Sequence, residues 1–147
     1  MKRLVLLCIL SLGLVISCQK ESKKTKHKEK KKSTEVQFTT KDSLSVYGDF
    51  YIIDKTAPTI LLFHQARANA RGEYKTIIPE LQKEGFNVLA VDQRTGGQLF
   101  GSYNRTIAKS GNTRFGYCDA YPDLEAALQY VIDQGFSGKK IVWGSSY

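Results

Sequence analysis

The sequence predicts an α/β fold in which an antiparallel hairpin is followed by parallel strands with crossover helices. Residues 36–53 alternate apolar and polar side chains, which is typical of a hairpin with one face on a core. Three later runs, 59–63, 87–91 and 140–143, are apolar without alternation, as in strands covered on both faces. Helical periodicity lies between these runs, which favours right-handed crossovers and a parallel sheet.

The predicted hairpin turns at Lys41-Asp42-Ser43. Side chains two residues apart share one face of a strand, so the second strand has one apolar face. We expect that face to be buried, and its residues are Leu44, Val46, Phe50 and Ile52.

The first helix is predicted over about 73–84. It ends at Gly85, a residue type that readily takes the left-handed conformation after a helix. Pro79 inside the segment indicates a kink or a late start. The apolar residues that fall together on this helix are Ile77, Ile78 and Leu81.

The second helix is predicted to begin near Pro122, with Asp119 or Tyr121 as its cap, and to end at Gly135. Its apolar residues recur at helical spacing, as Leu124, Leu128 and Val131. The order of elements is therefore β-β-β-α-β-α-β.

The net charge of +8 is concentrated near the N-terminus. Residues 1–18 carry +2 and residues 19–35 carry +5, whereas residues 36–147 carry only +1. This distribution excludes a strongly basic binding domain, and no nucleic-acid partner is expected. The length of 147 residues corresponds to about one domain.

Residues 1–17 have the pattern of an export signal. Two basic residues precede the apolar run 4–16, which is too short to span a bilayer but suits the centre of a secretory signal. The run ends Val15-Ile16-Ser17-Cys18, which resembles the lipobox of bacterial lipoproteins. That resemblance implies lipidation of Cys18 and anchoring to a membrane of the bacterial cell envelope. Cleavage by the ordinary signal peptidase, with Cys18 incidental, is the alternative.

Residues 18–35 form a lysine-rich linker in this interpretation. From Gln19 to Glu35 there are eight lysines and no aliphatic or aromatic residue, so nothing can be buried to offset ordering of the chain. Charge repulsion favours an extended tether. The domain proper is then predicted over 36–147.

A candidate catalytic serine follows the last apolar run. That run leads into Gly144-Ser145-Ser146-Tyr147, the first half of the pattern Gly-x-Ser-x-Gly. In this strand-to-helix turn, small residues on both sides leave the serine Oγ exposed above the carboxyl edge of a sheet. Gly144 lies two residues before Ser146, so Ser146 fits the pattern and Ser145 does not. Alone, the half-motif is equally a common loop.

Two further segments follow predicted strands in a recognisable way. Ile60-Leu-Leu-Phe-His64-Gln65 and its Ala/Arg-rich loop resemble the third-strand His-Gly loop of α/β-hydrolases, and 91–97 resembles their Asp-x-Arg-Gly turn. Together with the serine turn, these landmarks extend the resemblance over about 44–147, closest to dienelactone-hydrolase-like and peptidase-like members. The resemblance implies an incomplete α/β-hydrolase sheet and hydrolysis of an ester, thioester or peptide bond through an acyl-serine. It implies neither a metal nor another cofactor.

Site residues follow from the same resemblance. Ser146 is the expected nucleophile, and the backbone N–H groups of Gln65 and Tyr147 are the expected oxyanion donors, each lowering the barrier by ~2.7–4 kcal/mol. Gln65 stands where the family usually has glycine, but its N–H stays available in this interpretation. In this family the acid and histidine follow the serine, so the 147 residues are expected to be poorly stable and inactive alone.

The other chemistry-bearing residues receive structural interpretations. We expect His64 to anchor its loop rather than act as the base, and Asp92 and Arg94 to form an ion-paired turn rather than an acid and a substrate clamp. The remaining expectations are helix N-terminal charges for Asp119 and Asp123, a structural role for Cys118, and solvent exposure for Arg67, Arg71 and Arg114.

Two other classes of function are alternatives to an enzyme. A non-catalytic lipoprotein module is distinguished by whether an acid and a histidine loop follow residue 147. A nucleotide-binding domain is disfavoured, because neither Gly-x-Gly-x-x-Gly nor a Walker loop follows the strands at Phe63 and Val91. The substrate, a small molecule or a peptide, stays open, and 97–118 is long enough to form part of a pocket wall.

Overall fold

The computed structural model describes residues 33–111 and 114–146. Five strands form one mixed sheet: β1 (Thr34–Thr39), β2 (Ser45–Tyr51), β3 (Thr59–Phe63), β4 (Asn87–Asp92) and β5 (Lys140–Gly144). The strand order is β1-β2-β4-β3-β5. The hairpin β1–β2 is antiparallel and joins β4 antiparallel, while β4, β3 and β5 are parallel. The predicted α/β fold and its hairpin are confirmed.

The helices are α1 (Ala70–Glu73), α2 (Ile77–Lys83), α3 (Arg105–Ser110) and α4 (Tyr121–Asp133). Short 3-10 turns lie at Leu99–Gly101 and Tyr117–Ala120. None of these helices is long and apolar enough to cross a bilayer, and that finding covers only the described ranges. The predicted signal, most of the linker and Cys18 lie outside these ranges.

The first predicted helix is two helices in the structure. Asn69 caps α1, because its side chain accepts a hydrogen bond from Gly72 N, and α1 then ends at Glu73. The next helix, α2, begins only at Ile77, which places Pro79 in its first turn, where a missing N–H breaks no helical hydrogen bond. The late start was one of the two outcomes that the proline predicted.

The predicted helix ends are confirmed by backbone geometry. Gly85 and Gly135 take φ of 91° and 77°, in the left-handed region that glycine enters without strain. The predicted cap of α4 is wrong, since Ala120 occupies the cap position with no side-chain hydrogen bond. Asp119 instead accepts from Gly116 N and closes the preceding 3-10 turn.

Helices cover both faces of the sheet. α4 packs on one face, against side chains that include Val46, Phe50, Leu61, Leu89 and Val91. α1 and α2 supply Ala70, Tyr74 and Ile78 to the other face, against Ile60, Leu62, Val88 and Ala90. Because β3 and β4 are buried along their whole length, their continuous apolar sequences are explained.

The hairpin differs from the prediction at two points. Ile52 follows the end of β2 and is 43% exposed, although Val46 and Phe50 on the predicted face are buried. The opposite face of β2 is also covered, because α3 packs against it and buries Tyr47 and Asp49. We predicted that β2 has one buried face, but both of its faces are buried, and charged side chains lie on the second face.

Among the described residues, β5 is an edge strand. Its Val142 lies opposite Leu61 and its Trp143 opposite Leu62. Those partners are fully buried, whereas Val142 is 61% and Trp143 43% exposed. The expected exposed edge, with apolar side chains on it, is present in this part of the chain.

Candidate active site

The predicted site residues meet at the carboxyl ends of β3, β4 and β5. In the parallel ladder Phe63 lies opposite Gly144, and Ser145 N continues the ladder by donating to Phe63 O at 3.0 Å. Gln65 and Ser146 therefore each follow a paired position by two residues, on strands that lie ~4.7–4.9 Å apart. The register brings the predicted nucleophile and the predicted oxyanion donor to the same edge of the sheet.

The two serines have different surroundings. Tyr74 is buried, and its hydroxyl donates to Phe63 O at 2.6 Å. With that proton engaged, the Ser145 hydroxyl donates to the Tyr74 oxygen at 3.0 Å. Ser145 is half-buried, whereas the side chain of Ser146 is exposed. The difference agrees with the Gly-x-Ser spacing, which predicts that Ser146 is the exposed serine and that Ser145 is not.

The expected oxyanion donors have unequal outcomes. Tyr147 lies outside the described residues, so its N–H stays a prediction. The sequence suggested that the N–H of Gln65 is free. In the structure it donates to Glu73 Oε2 at 3.0 Å. In this loop Arg67 has a positive φ, of 67°, and Gln65 does not. Glutamine at 65 is therefore compatible with the loop.

His64 anchors its loop, as predicted. Its ring is fully buried, and Nε2 accepts from the backbone N–H of Gln93 at 3.1 Å. Nδ1 must then carry the proton, and it donates to Gln65 O at 2.8 Å. Burial lowers the pKa of His64, since the charged form would lose its hydration. A neutral ring with both nitrogens engaged is not placed to act as a base.

The loop after β3 is braced by the loop after β4. Arg67 N donates to Thr95 O at 2.9 Å, and Gly97 N donates to Ala68 O at 2.6 Å. A Cβ at Gly97 would lie 2.6 Å from Arg67 O, and one at Gly96 would lie 1.9 Å from a side-chain nitrogen. The two glycines of the turn are required because the two backbones approach so closely.

Asp92 organises the start of both neighbouring helices. One carboxylate oxygen accepts from Ala70 N at 3.0 Å, at the beginning of α1. The other accepts from Arg105 Nε at 2.8 Å, at the beginning of α3. Arg105 is 2% exposed and also bridges to Asp49 at 2.8 Å and Glu35 at 3.0 Å. Asp92 is ion-paired, as expected, but its partner comes from a helix that the sequence did not predict.

Arg94 forms a second buried cluster. Its Nε and Nη2 donate to Asp123 Oδ1 at 2.9 and 2.7 Å, and its backbone N donates to Oδ2 at 2.7 Å. Asp42 of the hairpin turn forms a second ion pair with Arg94. The Arg94 guanidinium holds the pKa of Asp42 well below its usual range. Asp123 lies in the first turn of α4, as predicted for a helix N-terminal charge, and it is fully buried against Arg94. The cluster ties the hairpin turn to α4.

The arginine and cysteine predictions have mixed outcomes. Arg67 and Arg114 are exposed, as expected. Arg71 is only partly exposed, because it lies 4.7 Å over the Tyr103 ring, donates to Tyr103 O, and is within 3.9 Å of Asp49. Cys118, expected to have a structural role, is an exposed free thiol.

Three residues at the site had no sequence signal that singled them out: Glu73, Tyr74 and Arg105. Glu73 and Tyr74 stood within an apolar-periodic segment, and Arg105 stood within a polar insertion. A separation of at least eight residues lies between each of them and the group it binds.

The 97–118 segment, expected to form a pocket wall, does line an apolar groove of about 470 Å³, through Tyr117 and Cys118. The other lining residues are Ala120, Tyr121 and Leu124. A second groove of about 460 Å³ lies between the hairpin and α4, away from the strand ends. Within 33–111 and 114–146, no group of three His, Cys, Asp or Glu side chains is arranged to hold a metal ion.

The fold is similar to solved hydrolase structures. An esterase from Pyrococcus furiosus is 28% identical, with a TM-score of 0.59 over 78% of this chain and 40% of its own. For a carboxyl esterase from Bacillus coagulans the identity is 21%, the TM-score 0.60 and the coverage 76% and 35%. An α/β-hydrolase from a Penicillium species is 17% identical, with a TM-score of 0.61 over 76% and 37%.

This chain therefore spans less than half of the length of these structures. No protein-family model matches the sequence, and no curated protein matches it. The five-stranded mixed sheet with its helices is a partial α/β-hydrolase sheet.

Proposed function

We propose that the chain is part of a serine hydrolase that cleaves carboxylic ester bonds, with Ser146 as the nucleophile. The observation that carries the proposal is the register of β3 and β5, which puts Ser146 and the Gln65 loop at one edge of the sheet. An acyl-transfer site needs a hydroxyl beside donors that face the developing oxyanion. The likeness to the Pyrococcus furiosus esterase, 28% identical, supports the same reaction class.

The surroundings of the two serines support this assignment. Tyr74 engages the hydroxyl of Ser145, so that this oxygen is held against the sheet, while Ser146 is exposed. Thioester and peptide bonds are cleaved by the same acyl-serine chemistry and belong to the proposal as substrates to be compared. In the chain order of α/β-hydrolases, the acid and the histidine of the triad come after the serine.

Active-site labelling tests the proposal on the product of the natural gene, from its start codon to its stop codon. A fluorescent fluorophosphonate should label the wild-type protein and the Ser145→Ala variant, and should not label Ser146→Ala. Hydrolysis of p-nitrophenyl butyrate should follow the same pattern, with a partial loss in Ser145→Ala because Tyr74 loses a partner. Absence of labelling in the wild type would contradict the hydrolase, and the reverse pattern of the two variants would contradict the register.

We also propose that the protein is exported and anchored through Cys18 to a membrane of the bacterial envelope. The basic start, the short apolar run and the lipobox-like end of 1–18 support this. Radioactive palmitate should enter the wild-type protein and a Cys118→Ala control, but not Cys18→Ala, which should also leave the membrane fraction. Lipid incorporation that survives in Cys18→Ala would overturn the proposal.

A further inference from the structure

Glu73 and Tyr74 are consecutive residues that touch the two halves of the proposed site. Glu73 Oε2 accepts from Gln65 N at 3.0 Å, and the Tyr74 hydroxyl lies 3.0 Å from Ser145 Oγ. The short helix α1 ends at Glu73, so this pair leaves the helix directly between the loop and the serine turn. A carboxylate therefore lies on the backbone donor that the sequence assigned to the oxyanion.

The charge of Glu73 has no direct counterion in the part of the chain that the structure describes. The ion pairs there, all with nitrogen–oxygen distances of 4.0 Å or less, do not include Glu73. The side chain is half-buried. A charge that is neither paired nor fully hydrated acts on other charges nearby more strongly than one in bulk water.

We propose that Glu73 determines the charge selectivity of the hydrolase, favouring neutral and cationic acyl groups over anionic ones. The inference rests on the proposed function. A substrate carbonyl that takes the Gln65 N–H must displace the carboxylate, which then stays within a side-chain length of the acyl group. An acyl chain with its own carboxylate is repelled there, and one with an ammonium group is attracted.

The hydrogen bond between Gln65 N and Glu73 Oε2 must be broken before a substrate can bind Gln65 N, so its strength also affects KM. A hydrogen bond to an ionised oxygen is roughly twice as strong as one to a neutral oxygen. Glutamine at 73 keeps an oxygen that Gln65 N can bond but removes the charge, so it is easier to displace. We expect Glu73→Gln to lower KM for a neutral ester, with the larger effect on an anionic ester.

The experiment compares three p-nitrophenyl esters on the full-length gene product: the neutral butyrate, the anionic hemisuccinate and the cationic 4-(trimethylammonio)butyrate. In Glu73→Gln, kcat/KM for the hemisuccinate should rise about tenfold relative to the butyrate, the change expected from one charge at close range in a partly screened site. The cationic ester should lose activity relative to the butyrate.

Two variants separate charge from structure. Glu80→Gln removes the same charge from the exposed side chain that pairs with Lys83 on α2, and it should leave the three ratios unchanged. Glu73→Asp keeps the charge on a shorter side chain and should retain the wild-type order of the esters. In the wild-type protein, added salt should narrow the discrimination against the hemisuccinate, a measurement that requires no variant.

The outcomes are distinguishable. Unchanged ratios in Glu73→Gln, or no salt effect on discrimination in the wild type, would overturn the role of Glu73 while the hydrolase stands. A wild-type protein that neither labels nor hydrolyses any of the esters would overturn the proposed function and this inference with it.

Discussion

The two sides of the candidate site are built in opposite ways. On the β4 side, Asp92 and Arg94, together with His64 at the end of β3, are buried and hydrogen-bonded to helices, to the hairpin and to the neighbouring loop. On the β5 side, Trp143 and Ser146 are exposed, and within 33–111 and 114–146 it is the Tyr74 side chain that reaches the turn from another element. The loop that carries the predicted oxyanion donor is thus fixed by packing and charge, while the serine turn is held by its ladder and one tyrosine.

This difference indicates how the fold assigns stability and chemistry. Buried ion pairs are costly to form but very costly to break, because removing one partner strands the other charge without water. Such clusters suit a loop that must keep one geometry. An exposed serine turn contributes little to stability, so we expect changes there to affect reactivity more than folding.

The largest expected effect comes from Arg105, because its side chain neutralises two buried carboxylates. Arg105→Met should lower the free energy of unfolding by about 3–5 kcal/mol, since Asp92 and Asp49 then lose their buried cation. Urea denaturation followed by circular dichroism measures this. Lys41→Met, which removes an exposed ion pair with Glu125, should stay within about 0.5 kcal/mol of the wild type. Equal losses in the two variants would remove the energetic contrast.

Two glycine substitutions compare how tightly the braced loop and the serine turn are packed. Gly97→Ala should cost about 1–3 kcal/mol, because the new Cβ would lie 2.6 Å from Arg67 O in the braced loop. Gly144→Ala, on the serine side, should change stability by less than about 0.5 kcal/mol, since no atom of the residues that the structure describes lies within 4 Å of a Cβ there. Thermal and urea unfolding of both variants give the comparison. A larger loss at Gly144 than at Gly97 would refute it.

The smallest effect is a pH dependence that His64 introduces. Its folded pKa is lowered by burial from the ordinary 6.5, so the unfolded chain binds the proton more readily. The contribution of His64 to stability is then fully present above about pH 6.5 and is lost as the pH falls below that value. The free energy of unfolding should decrease between pH 7.5 and pH 5.5.

Two variants assign that slope. His64→Asn should flatten it, whereas His27→Gln, which changes the other histidine of the chain, should leave it unchanged. A slope that persists in His64→Asn would show that other groups produce it, and the buried neutral ring would then not be the source.

Local sequence patterns were sufficient to predict most of the strands and helices. The continuous apolar runs at 59–63 and 87–91 predicted buried parallel strands, because only strands covered on both faces lack a polar face. Gly85 and Gly135 predicted the helix ends for an equally local reason, the ease with which glycine takes positive φ. The same kind of reasoning failed at Ile52 and missed α3, where burial depends on distant partners.

In the candidate site, too, features that depend on local sequence were predictable, and contacts between separate segments were not. The position of Ser146 and the anchoring role of His64 were predictable, because each follows a strand whose end the sequence marks. Glu73 on the Gln65 N–H and Tyr74 beside Ser145 were not, since these contacts join segments 8 and 71 residues apart. The pairing of Asp92 with Arg105 and of Arg94 with Asp123 joins segments 13 and 29 residues apart.

The sequence by itself determined the α/β class, the hairpin, the helix ends and the strand after which the serine lies, because periodicity, glycine and proline act through nearest neighbours in the chain. The tertiary structure decided which charges are buried together, which apolar residues stay exposed, and that a carboxylate takes the predicted oxyanion donor. Those outcomes depend on long-range packing, where an ion pair or hydrogen bond forms only after separate segments have been brought within about 3 Å of each other.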